Sequence, residues 1–99
     1  MMTTEFMLAP DMSVWIDGEK STNVLNIEYG DAEIKIHIML SKTDSIIYYN
    51  ALGTRCDLMI KEKEDVIQSE SKWYFNSLKV HCDKMKGVHA YLTFNDKRV

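Results

Sequence analysis

Three histidines and two cysteines are the side chains of this 99-residue chain with the widest chemical scope. His81 and His89 form the most specific pair. The five-residue loop Asp83-Lys84-Met85-Lys86-Gly87 joins two alternating runs. A hairpin around it sets Cys82 against Val88, Val80 against Ala90 and Leu78 against Leu92. The same register makes His81 and His89 neighbours on the face away from Leu92. His37 lies on the outward side of its own strand. Three imidazoles on one open face can ligate a transition metal, with His81 and His89 as the candidate ligands. The plainer reading is a pair of surface histidines, because structural zinc sites bring four ligands at recognisable spacing. His81 gains nothing from Cys82, since adjacent strand residues point to opposite faces.

The cysteines offer less. Cys82 is expected to face the core and Cys56 to lie on a helical stripe, where a thiol is a small inert hydrophobe. A nucleophilic cysteine needs a partly exposed, electropositive setting, and neither position suggests one. Glycine-rich phosphate loops, GxSxG, HExxH, EF-hand loops and paired CxxC motifs are absent from the sequence. No catalytic residue is assigned, no cofactor is expected, and the chain reads as a non-enzyme.

The elements that hold these residues follow from periodicity. Residues 1–11 read as a loose arm ending at Ala9-Pro10-Asp11. A strand spans Met12–Asp17, with Met12, Val14 and Ile16 on one side, and Asp17-Gly18-Glu19-Lys20 is a turn. From Val24 to Leu40 runs a hairpin turning at Gly30-Asp31, with Ile27 facing Ile34, Leu25 facing Ile36, and Glu28 set unfavourably opposite Glu33. Ser41 caps a helix whose stripe runs Ile46, Tyr49, Gly53, Cys56, Ile60, Lys63, Ile67. That spacing predicts one long helix to about residue 68, with Gly53 as its weak point. Lys61 to Asp65 reads as a solvated stretch of it, and Gln68 to Ser71 as the exit loop. Trp73 and Phe75, then Leu78, Val80 and Cys82, are strand-like, and a bulge at Asn76-Ser77 explains the change of side. Val88, Ala90, Leu92 and Phe94 alternate in the last strand. The order is β-β-β-α-β-β: an α+β single domain over 1–99, an antiparallel sheet of about five strands with one long helix packed on one face.

Such a sheet leaves its second face open. That face should display Trp15, Met39, Tyr91 and His37, the residues expected to bind a partner. Alternatively, Phe6, Met7 and Leu8 of the arm fold back over them. Trp73, Tyr74 and Phe75 form a second cluster, which reads as core packing. With 12 basic and 15 acidic residues, a formal charge of −3, the chain lacks the basic surface that phosphate backbones and anionic membranes require. MMTTEFMLAP has no signal-peptide pattern, so free thiols in a reducing cytoplasm are expected. In size and mild acidity the chain resembles small accessory inhibitors from phages and mobile elements, anti-CRISPR proteins among them. That resemblance is one of size and character and rests on no motif. It implies an inhibitor of a host protein complex. Small size, mild acidity, the apolar-aromatic open face and the lack of a catalytic constellation lead to a non-enzymatic protein-binding module that occupies a partner's surface or homodimerises. Two other function classes remain open: a nucleic-acid-directed protein (binder or small ribonuclease) using stacked aromatics, and a small-ligand or metal-binding domain built on His81 and His89.

Overall fold

A computed structural model describes residues 11–21, 23–85 and 87–98, so the expected arm, apart from Asp11, lies outside the described residues. Strands β1 (Met12–Ile16), β2 (Glu19–Ser21), β3 (Val24–Tyr29) and β4 (Glu33–Met39) precede helix α1 (Lys42–Ala51). Strands β5 (Arg55–Glu62), β6 (Asp65–Asp83) and β7 (Gly87–Asn95) come after it. All seven strands form one antiparallel sheet in the order β2-β1-β5-β6-β7-β4-β3. The class is α+β and mostly β. Two expectations are corrected: among the described residues the sheet has seven strands rather than about five, and the helix has ten residues rather than nearly thirty.

The helix stops where its weak point was expected. Gly53 has φ +82° and donates its N–H to the Phe75 carbonyl (2.7 Å), which pulls the chain off the helix and onto β6. From Arg55 onward the chain is strand. Cys56, Leu58 and Ile60 are buried while Arg55 and Asp57 are exposed and Met59 half-buried, a period of two that the helical reading passed over. Lys61 to Asp65 is therefore a hairpin tip, with Lys63 at φ +55°, and Gln68 to Ser71 lies inside β6. The helix also buries a different face from the expected stripe. Asp44, Tyr48 and Ala51 are buried, whereas Ile46 and Tyr49 are exposed. The reason is a tether. Ser21 Oγ (3.0 Å) and Asn23 Nδ2 (3.2 Å) both donate to Asp44 Oδ2, and the Asp44 N–H donates to the capping Ser41 Oγ (3.0 Å). These bonds fix which side of a short helix meets the sheet, and Tyr48 then packs edge-on against Phe75 at 6.4 Å.

The first hairpin turns tightly on Asp17 (φ +51°) and Gly18 (φ +85°), so Ile16 pairs with Glu19. In the second, Ile27 pairs with Ile36 and Tyr29 with Ile34, two positions away from the expected register. Shifting by two keeps every side chain on its face and replaces the Glu28–Glu33 opposition by Glu28 against Lys35. A register break between Val24 and Asn26 then delivers Val24, not Leu25, to the core. The last hairpin and its break between Phe75 and Ser77 match expectation.

β6 belongs to two half-sheets. Residues 65–74 pair with β5, and residues 74–83 pair with β7. The sheet curls until β1 touches β3, although four strands lie between them in the order. Val14, Ile16, Leu58, Ile60, Trp73, Phe75, Leu92, Phe94 and the isoleucines of β4 fill the inside, and each such buried side chain contributes about 1.5–3 kcal/mol. Trp73 and Phe75 are core, as expected, and Tyr74 is half-buried.

Candidate functional site

Outward positions of β4, β6 and β7 gather the histidines. β4 sets His37 opposite Tyr91 and Met39 opposite His89, while β6 sets His81 opposite His89 and Lys79 opposite Tyr91. Because three strands deliver them, the rings touch in a continuous row. His37 and Tyr91 stack with centroids 4.1 Å apart and planes 9° apart. His37 meets His89 edge-on at 5.0 Å, and His81 stacks on His89 at 5.5 Å. Tyr91 lies 5.4 Å from His81, also edge-on.

His37 Nε2 and His89 Nδ1 are 2.8 Å apart, so one ring donates and the other accepts. Two protonated rings cannot make this bond. Burial lowers the His37 pKa from its ordinary value, and electrostatic repulsion from His89 and His81 lowers it further. His89 is buried beneath the row, Tyr91 is 43 % exposed, and Met39 is half-buried beside it. A shallow groove along this row is lined by Asn26, Glu28, Lys35, His37, Tyr91 and Thr93.

Trp15 is elsewhere. It sits on the outer side of β1, opposite Lys20 and Met59. Three strands, β5, β6 and β7, lie between its strand and that of His37 along the sheet. Its ring lies under two ammonium groups, Lys20 Nζ at 5.6 Å and Lys61 Nζ at 5.2 Å, and its Nε1–H donates to Ser13 Oγ (3.0 Å). The four residues expected at one interface thus divide. His37, Met39 and Tyr91 come together, and Trp15 borders a separate groove with Gly18, Asp57, Met59, Ser69 and Ser71. Whether residues 6–8 cover Trp15 lies outside the described residues.

His81 and His89 are cross-strand neighbours, as the hairpin register predicts. Yet among the described residues no group of three or more His, Cys, Asp or Glu side chains is arranged to hold a metal ion. The pair alone supplies half of a tetrahedral shell. Cys56 is buried, and burial pushes its thiol pKa up, away from nucleophilic use. Cys82, expected in the core, is exposed, because the core side of the β6–β7 tip extends past what covers it. Among the described residues no helix is long and apolar enough to cross a membrane.

Sequence reasoning missed two features of these surfaces. The cation pair on Trp15 depends on β2 and β5 flanking β1, and neither was expected as a strand. The burial of His89 depends on β4 lying beside β7, a pairing of elements about fifty residues apart that no local pattern reveals.

No family model matches this chain, and comparison with curated proteins and with solved structures finds no match.

Proposed function

We propose that this protein is a non-enzymatic protein-binding module that presents the rings of His37, His81 and Tyr91, backed by buried His89 and with Met39 beside them, to a protein partner. The observation that supports this reading is the row itself. Its rings are already stacked on one another before any partner arrives, so docking costs little side-chain entropy. A half-exposed tyrosine is a frequent hot spot. Action by occupying a partner's surface, as small phage-type inhibitors act, fits a module of this size without a catalytic constellation.

The test is affinity capture from cell lysate with immobilised protein, run in parallel with Tyr91→Ala, His37→Ala and, on the helix, Tyr49→Ala. A species retained by the parent and by Tyr49→Ala, and bound about tenfold or more weakly by Tyr91→Ala, is the expected result. Equal retention by all four proteins sinks the reading. One observation favours a second reading: Lys35 and Lys79 flank the row, as cations flank base-stacking platforms. Nuclease treatment of the lysate separates the two, because a nucleic-acid-dependent signal disappears with it.

A further inference from the structure

Residues 77–83 of β6 pair with β7 in unbroken register, from Ser77 against Thr93 to Asp83 against Gly87. On the other side β5 reaches only to Tyr74, and the Thr54 carbonyl accepts from the Phe75 N–H. Among the described residues, no strand lies beyond that on this edge. The other open edges all carry a device that resists pairing. β2 has only three residues. β3 is broken between Val24 and Asn26, and the N-terminal half of β6 is broken against β5 at two places, Cys56/Leu58 and Ile60/Lys61. Short length and bulges keep an edge from templating another strand. Residues 77–83 have no register break and no proline.

This edge also carries uncovered apolar surface. Val80 and Val88, each 39 % exposed, and the exposed Cys82 share the side of buried Ala90, so they extend the core outward into solvent. The opposite side holds Lys79, His81 and Asp83 at successive outward positions.

We propose that this edge joins two copies of the chain, β6 against β6 antiparallel, with His81 on the two-fold axis. The charge order selects both occupant and direction. About His81, an antiparallel copy sets Lys79 opposite Asp83 of the partner subunit, twice, and Val80 opposite Cys82 of the partner subunit. A parallel copy sets lysine on lysine and aspartate on aspartate. The inference shares His81 with the ring row but rests on the backbone edge and the charge order, whereas the capture test reads Tyr91 and His37, so the two fail separately.

Sedimentation equilibrium of the full chain under reducing conditions, from about 1 μM to 1 mM, tests it. The expected result is a reversible dimer. Lys79→Asp should weaken it by about tenfold or more, and adding Asp83→Lys should restore it to within about threefold. Val80→Lys should leave monomer. Amide exchange at 77–83 should slow with protein concentration, a readout that needs no substitution. A monomer throughout overturns the proposal, as does a dimer indifferent to Lys79→Asp while the thermal melt shows the variant folded.

Discussion

Trp15 and Tyr91 are both aromatic residues on the outer side of the same sheet, one on each half, and they differ in what already touches them. Trp15 has cations over its ring from β2 and β5 and its indole N–H on Ser13. Tyr91 touches other rings and keeps 43 % of its surface in solvent. Each cation–aromatic contact at such a site is worth about 0.5–1 kcal/mol, which a partner would have to replace. A stacked row gives up nothing comparable when a partner lies across it. Exposure of an aromatic ring therefore says little about its availability. The engagements around it decide, and here they hold the Trp15 ring in place and leave the Tyr91 ring accessible.

If the two halves are one cooperative unit, damage at their shared strand is felt in both. Trp73→Ala, at a position 1 % exposed, should cost about 3–5 kcal/mol in urea unfolding. Fluorescence of the remaining Trp15 and tyrosine signals should report one coincident transition, and two separate transitions would divide the halves. Trp73→Phe should cost less than about 1.5 kcal/mol, since it also deletes a buried indole N–H that has no hydrogen-bond partner among the described residues.

A smaller effect sharpens the contrast between the rings. Trp15→Ala should lower stability by about 1–2 kcal/mol while leaving capture through Tyr91 unchanged. The reverse outcome, intact stability and lost capture, would return Trp15 to the interface.

The smallest effect is pH-dependent. The folded-state pKa of His37 lies below its unfolded value of about 6.5, so below that pH the unfolded chain binds more protons. Stability should therefore fall as pH drops through the interval between the two values. The groups around His37 are His89, His81 and Tyr91, with Lys35 two positions along its strand. Thermal melts from pH 7.5 to 5.5 should show a shallower decline for His37→Gln than for the parent. Equal slopes would mean that the imidazole row does not couple to folding.

Local patterns reached as far as hairpins go. The β6–β7 register, its bulge and the Ser41 cap all depend on residues within about twenty positions of one another, and all were legible. The stretch from Cys56 to Ile67 was misread because its apolar residues satisfy both periods. Cys56, Ile60, Lys63 and Ile67 fit a helix, and Cys56, Leu58 and Ile60 fit a strand. Only tertiary pairing with β1 and β6 chose between them. The site divided along the same line. His81 with His89 came from one hairpin, whereas the separation of Trp15 from His37 required the strand order of the whole sheet.

The register break between Phe75 and Ser77 works like an inserted letter in a reading frame. Before it, odd-numbered residues of β6 (Trp73 and Phe75) turn inward. After it, even-numbered ones (Leu78 and Val80) share the side of Ala90 and Leu92. Were Asn76 paired as an ordinary rung of the ladder instead, the frame would slip, so that Lys79 and His81 would point at the core while Leu78 and Val80 pointed to water. The ring row and the charged order Lys79-His81-Asp83 would both vanish, though not one of their own residues had changed. The surface chemistry of this half of the molecule is thus written by the spacing of a residue, Asn76, that belongs to neither.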